Sequence, residues 1–195
     1  MPACDLVVIG CSWGGLHALR DLLYALPADF EVPIAVAMHR GRESRDDRLL
    51  YAVGAHSSLP VCAVEDKDEI TPGRVYVAPA DYHLLVEPGR FALSVDDAVH
   101  YARPSIDVLF DSAADAYGDR LVGVILTGAN ADGAAGLRSV KRLGGKAMVQ
   151  DPGTAERREM PDAALAAVEP DLVGSIDAIA AALTAHSAAT SEAIS

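Results

Sequence analysis

The sequence predicts an α/β fold with three layers, αβα, built on a mostly parallel, doubly wound sheet with an antiparallel β-hairpin insertion. Three observations lead to this prediction. Short, continuous apolar runs alternate with segments whose apolar residues recur at helical spacing, and parallel strands need crossover connections of this kind. A stretch in the middle of the chain differs, because short β-rich runs are separated there by Pro-Gly turns.

The N-terminal part consists of two strand and helix units. Residues 6–9 form an apolar run closed by Gly10, and leucines at helical spacing follow Gly15, which predicts a buried strand, a tight turn and a helix. Residues 33–38 repeat the strand pattern. Residues 44–55 then predict a helix with a polar face.

The rest of the chain contains the hairpin and further alternating elements. The runs 75–78, 84–86 and 91–95 predict an antiparallel hairpin. The C-terminal half returns to helices and strands. Helices are expected over 105–117, 134–143, 161–167 and 175–183, and strands over 121–126, which should be central, over 146–149 and around 172–173.

Length and composition indicate one domain. With 195 residues, 51% of them hydrophobic, the chain can bury a sizeable core, which excludes disorder as its main state. We expect this domain over residues 1–185 and a flexible tail over 186–195, where residues are small and polar.

Charge and cysteine content restrict the function. The chain has 28 Asp and Glu against 16 Lys and Arg, a net charge of −12, which argues against nucleic-acid binding. Cys4, Cys11 and Cys62 form no C-x-x-C pair, so a reducing compartment is favoured and no zinc site is supported. The N terminus resembles neither a signal peptide nor a membrane span. We therefore expect a cytoplasmic protein without membrane insertion.

The turn after the first strand contains a candidate nucleophile. Residues 10–15, Gly-Cys-Ser-Trp-Gly-Gly, match G-x-S-x-G, in which small neighbours expose a serine hydroxyl, here Ser12, at a helix N-terminus. The same residues could simply form a tight turn. A dinucleotide-binding turn is a weaker alternative, because G-x-G-x-x-G is absent and Trp13 would crowd a pyrophosphate. Cys11 is a rival nucleophile, although buried packing is the commoner role of such a cysteine.

Two other strand ends supply a base and a carboxylate. His39 directly follows the second predicted strand, and Asp132 lies in the loop TGANADG after the central one, so both belong to the sheet edge of Ser12. Asp132 could instead be a helix N-cap, and His39 an ordinary polar residue leaving a strand. The order Ser, His, Asp differs from that of α/β-hydrolases, so that fold is not implied. The remaining histidines, which have weaker functional signals, are His17, His56, His83, His100 and His186.

Taken together, these residues resemble the catalytic domain of CheB-type chemotaxis protein-glutamate methylesterases. The resemblance covers about residues 5–185 and implies a parallel-sheet α/β domain with a β-hairpin. It also implies hydrolysis of glutamate methyl esters on chemoreceptors, and deamidation of receptor glutamines, without a metal or another cofactor. The segments that carry it are VVIGCSWGG, the strand end at His39, PGRVYVAPADYHLLV, RPSIDVLFDSAADAYG and VGVILTGANADGAAGL.

The resemblance implies roles for individual residues. Ser12, His39 and Asp132 match the Ser-His-Asp triad of the family. Backbone N–H groups next to these residues are expected to hold the oxyanion. The candidates are Trp13, Gly128 and Ala129.

The implied partners are methylated cytoplasmic helices of chemoreceptors. Such helices are often acidic, so a strongly negative protein should repel them at long range. Two interpretations of the nearby arginines remain open: they dock an acidic helix, or they belong to a solvated face balanced by acidic neighbours. These arginines are Arg40, Arg42, Arg45, Arg48, Arg157 and Arg158.

The sequence also departs from the family pattern. Family members often have Thr or Ala in place of Trp13 and Met in place of Ala129, and prolines in the segment 40–43. We expect a stand-alone catalytic domain without a receiver domain, acting constitutively or regulated by a separate protein. The alternative is a catalytically idle binding or signalling module of the same fold, in which Trp13 occludes the pocket.

Overall fold

The structure is a computed structural model that describes residues 4–41, 46–55 and 57–193. Nine strands, six α-helices and a short 3₁₀ helix (Gly118–Arg120) lie in this part of the chain. The strands are β1 (Leu6–Cys11), β2 (Ile34–Met38), β3 (Val61–Ala63), β4 (Val75–Val77), β5 (His83–Glu87), β6 (Arg90–Ser94), β7 (Leu121–Ile125), β8 (Lys146–Gln150) and β9 (Leu172–Gly174). The helices are α1 (Gly15–Ala25), α2 (Asp46–Gly54), α3 (Ile106–Tyr117), α4 (Ala134–Arg142), α5 (Glu159–Ala167) and α6 (Ile176–Ala193).

Seven strands form one parallel sheet, and the other two form the predicted hairpin. The strand order in the sheet is β3-β4-β2-β1-β7-β8-β9, and all neighbouring pairs are parallel. β5 and β6 pair in antiparallel fashion. The chain extends the sheet first on one side of β1 and then on the other, so its connections diverge between β1 and β7. In open α/β sheets, ligands bind at such a switch point, beyond the carboxyl ends of the strands.

The two faces of the sheet bury separate cores. Along β1, Val7, Ile9 and Cys11 belong to one core with α1 and α6. Leu6 and Val8 belong to the other core, with α3, α4 and the hairpin. Every residue of β1 is buried, as expected for a strand covered on both faces. The predicted αβα architecture with a hairpin insertion is therefore confirmed.

One predicted strand lies in the parallel sheet and not in the hairpin. The run 75–78 was expected in the hairpin, but Val75–Val77 is strand β4 of the parallel sheet and pairs with β2 and β3. All three of its residues are buried, which is typical of a parallel strand covered by other layers. The short strand β3 beside it is not indicated by the sequence pattern.

The last helix is longer than the sequence pattern predicts. α6 extends to Ala193, beyond the expected end at residue 183 and into the segment assigned to the tail. Residues 184–193 contain neither Gly nor Pro and are rich in alanine, the strongest helix former. His56 and residues 44–45 of the predicted second helix lie outside the described residues. No helix in the described ranges is long and apolar enough to cross a membrane.

Candidate active site

The carboxyl ends of three neighbouring strands meet at the switch point. Ser12 follows β1 and His39 follows β2, and the last residues of these strands lie opposite each other. The His39 N–H donates to the Cys11 carbonyl at 3.1 Å, and the Ser12 N–H donates to the carbonyl of Thr127, just after β7, at 3.0 Å. Because β1 lies between β2 and β7, the backbone places Ser12 between His39 and the loop that carries Asp132.

The imidazole of His39 contacts the carboxylate of Asp132. Nε2 lies 2.6 Å from Oδ2, and 12% of the His39 side chain but none of the Asp132 side chain is exposed. The Ser105 hydroxyl and the N–H groups of Ile106 and Asp107 donate to the same carboxylate, at 2.9, 2.8 and 3.0 Å. Burial alone would raise the pKa of Asp132, but the hydrogen bonds from His39 and from the two N–H groups lower it below its usual value. The carboxylate is therefore ionised, and Nε2 is the donor.

The other ring nitrogen of His39 faces Asn130. Oδ1 of Asn130 accepts the Asp132 N–H at 3.2 Å, which turns the amide nitrogen toward the ring, so that Nδ2 lies 3.2 Å from Nδ1. Because an amide NH₂ group only donates, Nδ1 carries a lone pair in this arrangement. The imidazole therefore has its proton on Nε2 and can accept another at Nδ1.

A cavity of about 480 Å³ opens beside His39. Its walls include Asn130, Arg40 and the segment 100–104. Of the three triad candidates, only His39 lines it. Ser12 is partly buried as a residue, and its hydroxyl makes no hydrogen bond within the described residues. His39 can thus be reached from the cavity, and Ser12 lies at the adjoining strand end.

Comparison with known protein families assigns the chain to one of them. The family model described as CheB methylesterase matches residues 7–183, which is most of the chain. The chain belongs to the CheB methylesterase family. The resemblance seen in the sequence is confirmed.

Several proteins of the CheB methylesterase type are similar to the chain. A putative protein-glutamate methylesterase/protein-glutamine glutaminase of Leptospira interrogans is 45% identical over 177 residues, 90% of this chain and 91% of that protein. Protein-glutamate methylesterase FrzG of Myxococcus xanthus is 37% identical over 161 residues, 82% of this chain but 48% of that protein. The crystal structure of the Thermotoga maritima CheB methylesterase catalytic domain matches with a TM-score of 0.88 and 33% identity, covering 94% of this chain and 99% of that one. The fold is therefore that of a CheB catalytic domain.

Two of the three expected oxyanion donors in this CheB-type site are open. The Gly128 N–H donates to the Arg157 carbonyl at 3.1 Å, so it is not available to a substrate. The N–H groups of Trp13 and Ala129 have no acceptor among the described residues. Of the three candidate donors, Trp13 and Ala129 therefore have N–H groups that are free of other acceptors in the described part of the chain.

The side chain of Trp13, the residue after Ser12, is exposed and held by two charged neighbours. It is 60% exposed, and its Nε1 donates to Oε1 of Glu156 at 3.0 Å. The Arg157 guanidinium lies 5.3 Å from the ring centroid, within cation–π range. Trp13 does not line the cavity. Trp13 therefore does not occlude the cavity beside His39.

Asp107 is a second buried carboxylate, which the sequence patterns did not single out. Its Oδ1 accepts the N–H groups of Gly133 and Gly136, at the start of α4, at 2.9 and 2.7 Å. Asp132, just before α4, accepts N–H groups from the start of α3, so each acid caps the other's helix. Burial and the nearby charge of Asp132 raise the pKa of Asp107, while the two backbone hydrogen bonds act in the opposite direction. An Asp in the first turn of a helix is a common feature, so its position carries no functional signal.

Two other histidines lie nearer the site than the sequence indicates. His83 is 2% exposed, and its Nδ1 accepts the Ser105 N–H at 3.2 Å. Nε2 of His100 lies 3.6 Å from Oδ2 of Asp107. His17 is exposed on α1. Within the described ranges, no group of three or more His, Cys, Asp or Glu side chains could hold a metal ion.

Cys11 adjoins Ser12 but belongs to the core. Its side chain is fully buried, and burial raises the pKa of its thiol to about 12. Its Sγ packs so closely against Gly15 that a Cβ there would approach it to 2.8 Å. Because this thiol is fully buried and packed within the core, it has no exposed surface at which it could meet a substrate.

Proposed function

We propose that this chain is a protein-glutamate methylesterase in which Ser12 is the nucleophile, His39 the general base and Asp132 the carboxylate that orients the imidazole. The observation that carries the proposal is the 2.6 Å contact between His39 and the buried, ionised Asp132, beside Ser12 at the adjoining strand end. Membership of the CheB methylesterase family and the activity named for the Leptospira relative support the substrate class.

In the proposed acylation step, Oγ of Ser12 attacks the carbonyl carbon of the ester and its proton passes to Nδ1 of His39. Nδ1 is the acceptor because Nε2 donates to Asp132. Asn130, which occupies the Nδ1 lone pair in the structure, gives way to the serine hydroxyl. The open N–H groups near Ser12 stabilise the oxyanion, each such donor contributing about 3 kcal/mol. The imidazolium then protonates the methoxy oxygen, and methanol leaves.

Water completes the proposed cycle. His39 removes a proton from a water molecule, whose oxygen attacks the acyl-serine carbonyl. The imidazolium returns that proton to Oγ of Ser12 as the glutamate carboxylate is released. For a glutamine side chain, the same steps expel ammonia instead of methanol, which is the deamidation expected of the family.

The proposed partner is an acidic, methylated receptor helix in the cytoplasm. Two of the arginines near the site support this partner. Arg40 lines the cavity beside the His39 imidazole, and Arg157 stacks on the exposed indole of Trp13. Arg158 differs, because its guanidinium is bound by a carboxylate of α5 at 2.7 Å. Of the remaining arginines, Arg48 is exposed on α2, and Arg42 and Arg45 lie outside the described residues.

Methanol release from a methylated receptor tests the proposal. Ser12→Ala should lose at least about a hundredfold in kcat, because the nucleophile is removed. Cys11→Ala is the matched control, since it alters the neighbouring side chain and should retain activity. Unchanged turnover in Ser12→Ala would remove Ser12 from the mechanism.

One observation favours the idle binding module as a second candidate. In the described structure, the Ser12 hydroxyl makes no hydrogen bond, and the lone pair of His39 is taken by Asn130. Such contacts often tighten only when substrate binds, so the resting geometry does not exclude catalysis. A fluorophosphonate probe separates the two candidates, because only an activated Ser12 becomes labelled.

A further inference from the structure

The first turn of α3 is capped from another loop. Ser105 occupies the N-cap position, where a serine hydroxyl normally accepts an N–H group of the first turn. Here it accepts none. The N–H groups of Ile106 and Asp107 donate instead to the Asp132 carboxylate, at 2.8 and 3.0 Å. The hydroxyl of Ser105 is therefore not needed as the cap of its own helix.

This hydroxyl donates to the same carboxylate. Oγ of Ser105 lies 2.9 Å from Oδ1 of Asp132, and Ser105 is fully buried. Because an ionised carboxylate only accepts, the hydroxyl hydrogen points at it. Oδ1 then has two donors, Ser105 and Asp107, and Oδ2 has two more, Ile106 and His39. With about four lone-pair sites occupied, the carboxylate cannot rotate away from the imidazole.

Ser105 is itself fixed by the hairpin side of the molecule. Its N–H donates to Nδ1 of His83 at 3.2 Å, and Nε2 of His83 donates to the Asp97 carbonyl at 3.1 Å. His83 is the first residue of β5 and is 2% exposed. A continuous chain of hydrogen bonds thus leads from the hairpin insertion through Ser105 to Asp132.

We propose that Ser105 is a positioning residue for hydrolysis, which holds the Asp132 carboxylate so that Oδ2 orients the His39 ring. The kinetic part of this inference rests on the proposed function, whereas the effect on the His39 and Asp132 contact does not. The hydroxyl donates to a carboxylate and lines no part of the cavity. Its loss should therefore lower kcat and leave KM unchanged.

Ser105→Ala tests the kinetic part. Alanine removes only the hydroxyl, which does not cap α3. We expect kcat for methanol release to fall about tenfold, as for other partners that orient a reacting group, with KM within about twofold. Ser112→Ala on the same helix is the control. The Ser112 hydroxyl accepts the Val86 N–H at 3.1 Å, so its loss costs stability without touching Asp132, and kcat should not change.

Proton NMR of protein labelled with ¹⁵N-histidine tests the structural part. The proton between Nε2 of His39 and Oδ2 of Asp132 should give a downfield resonance that shifts or broadens in Ser105→Ala and stays in place in Ser112→Ala. An unchanged resonance or a wild-type kcat in Ser105→Ala would overturn the proposal. If the wild type releases no methanol, the proposed function fails, while the resonance still decides the role of Ser105. Ser105→Gly, which an N-cap tolerates well, replaces alanine if that variant does not fold.

Discussion

Asp107 and Asp132 are buried carboxylates whose surroundings move their pKa values in opposite directions. Burial disfavours both charges, but Asp132 receives four hydrogen bonds, including the one from His39, and its pKa is lowered. Asp107 receives two, both on Oδ1, and burial together with the charge of Asp132 raises its pKa. Folding therefore stabilises the negative charge of Asp132 and destabilises that of Asp107.

Asp107→Asn should raise the free energy of unfolding at pH 7. The asparagine carbonyl oxygen can accept both N–H groups in place of Oδ1, while the buried charge beside Asp132 disappears. A carboxyl group whose pKa is raised by folding costs stability above that folded pKa and nothing below its unfolded pKa, about 3.9. The gain should therefore be on the order of 1 kcal/mol at pH 7 and vanish toward pH 3.

Urea denaturation across this pH range measures the effect of Asp107→Asn. Asp115→Asn is the control, because Asp115 is exposed on the same helix and its replacement should have a small effect at every pH. A variant at position 107 that is less stable than the wild type at pH 7 would show that the ionised carboxylate contributes more than it costs.

The approach of α3 to α4 connects these residues at the level of elements. A Cβ on Gly136 would lie 2.5 Å from Cβ of Phe110 and 3.1 Å from the backbone of Asp107. Glycine is therefore required for the two helices to come close enough for Asp107 to reach the N–H groups of α4. The same approach brings Asp132, just before α4, to the first turn of α3. Helix packing and the geometry of the candidate triad are thus coupled.

Gly136→Ala should destabilise the protein by about 1–3 kcal/mol, the usual cost of overpacking, although alanine is the better helix former. It should also lower kcat, because the added methyl group separates α3 from α4 and displaces Asp132. Thermal denaturation and methanol release measure the two effects. Gly54→Ala is the control, since a Cβ there would meet Val61 at an ordinary 3.7 Å. Equal stability of both variants would contradict the coupling.

Most elements could be predicted because burial leaves a pattern in the apolar residues, which is helical spacing along a helix and a continuous run along a strand covered on both faces. β1, β2 and β7 are continuous apolar runs, whereas β4 has only three residues, too few for a period to distinguish a parallel strand from a hairpin strand. Ser12, His39 and Asp132 could be nominated because each follows a strand. Ser105 and Asp107 could not, because Ser and Asp at a helix start are ordinary capping residues, and only tertiary contacts connect them with the site.

The net charge of −12 opposes binding of an acidic helix by the molecule as a whole. Association with the proposed receptor helix would then depend on positive charges close to the site. Arg157 lies over the Trp13 ring, with 49% of its side chain exposed and its acidic neighbour Glu159 as far as 4.0 Å away. Arg158 is bound by both carboxylate oxygens of Asp162, at 2.7 and 3.2 Å. The two consecutive arginines therefore differ in how closely an acidic side chain holds the guanidinium.

Arg157→Glu should raise KM for a methylated, acidic receptor about fivefold, the effect of roughly 1 kcal/mol, and change kcat little. The difference should shrink as salt is added, because exposed charges are screened over about 10 Å at 0.1 M ionic strength. Methanol release over a series of salt concentrations measures both. Arg158→Glu is the control for net charge. It changes the net charge equally but acts beside Asp162, so its KM should stay near the wild-type value. Arg157→Lys keeps the positive charge and should retain most of the affinity. An equal increase in KM for Arg157→Glu and Arg158→Glu would contradict the prediction. The effect would then come from the net charge of the protein, because only a local contact can distinguish two adjacent residues.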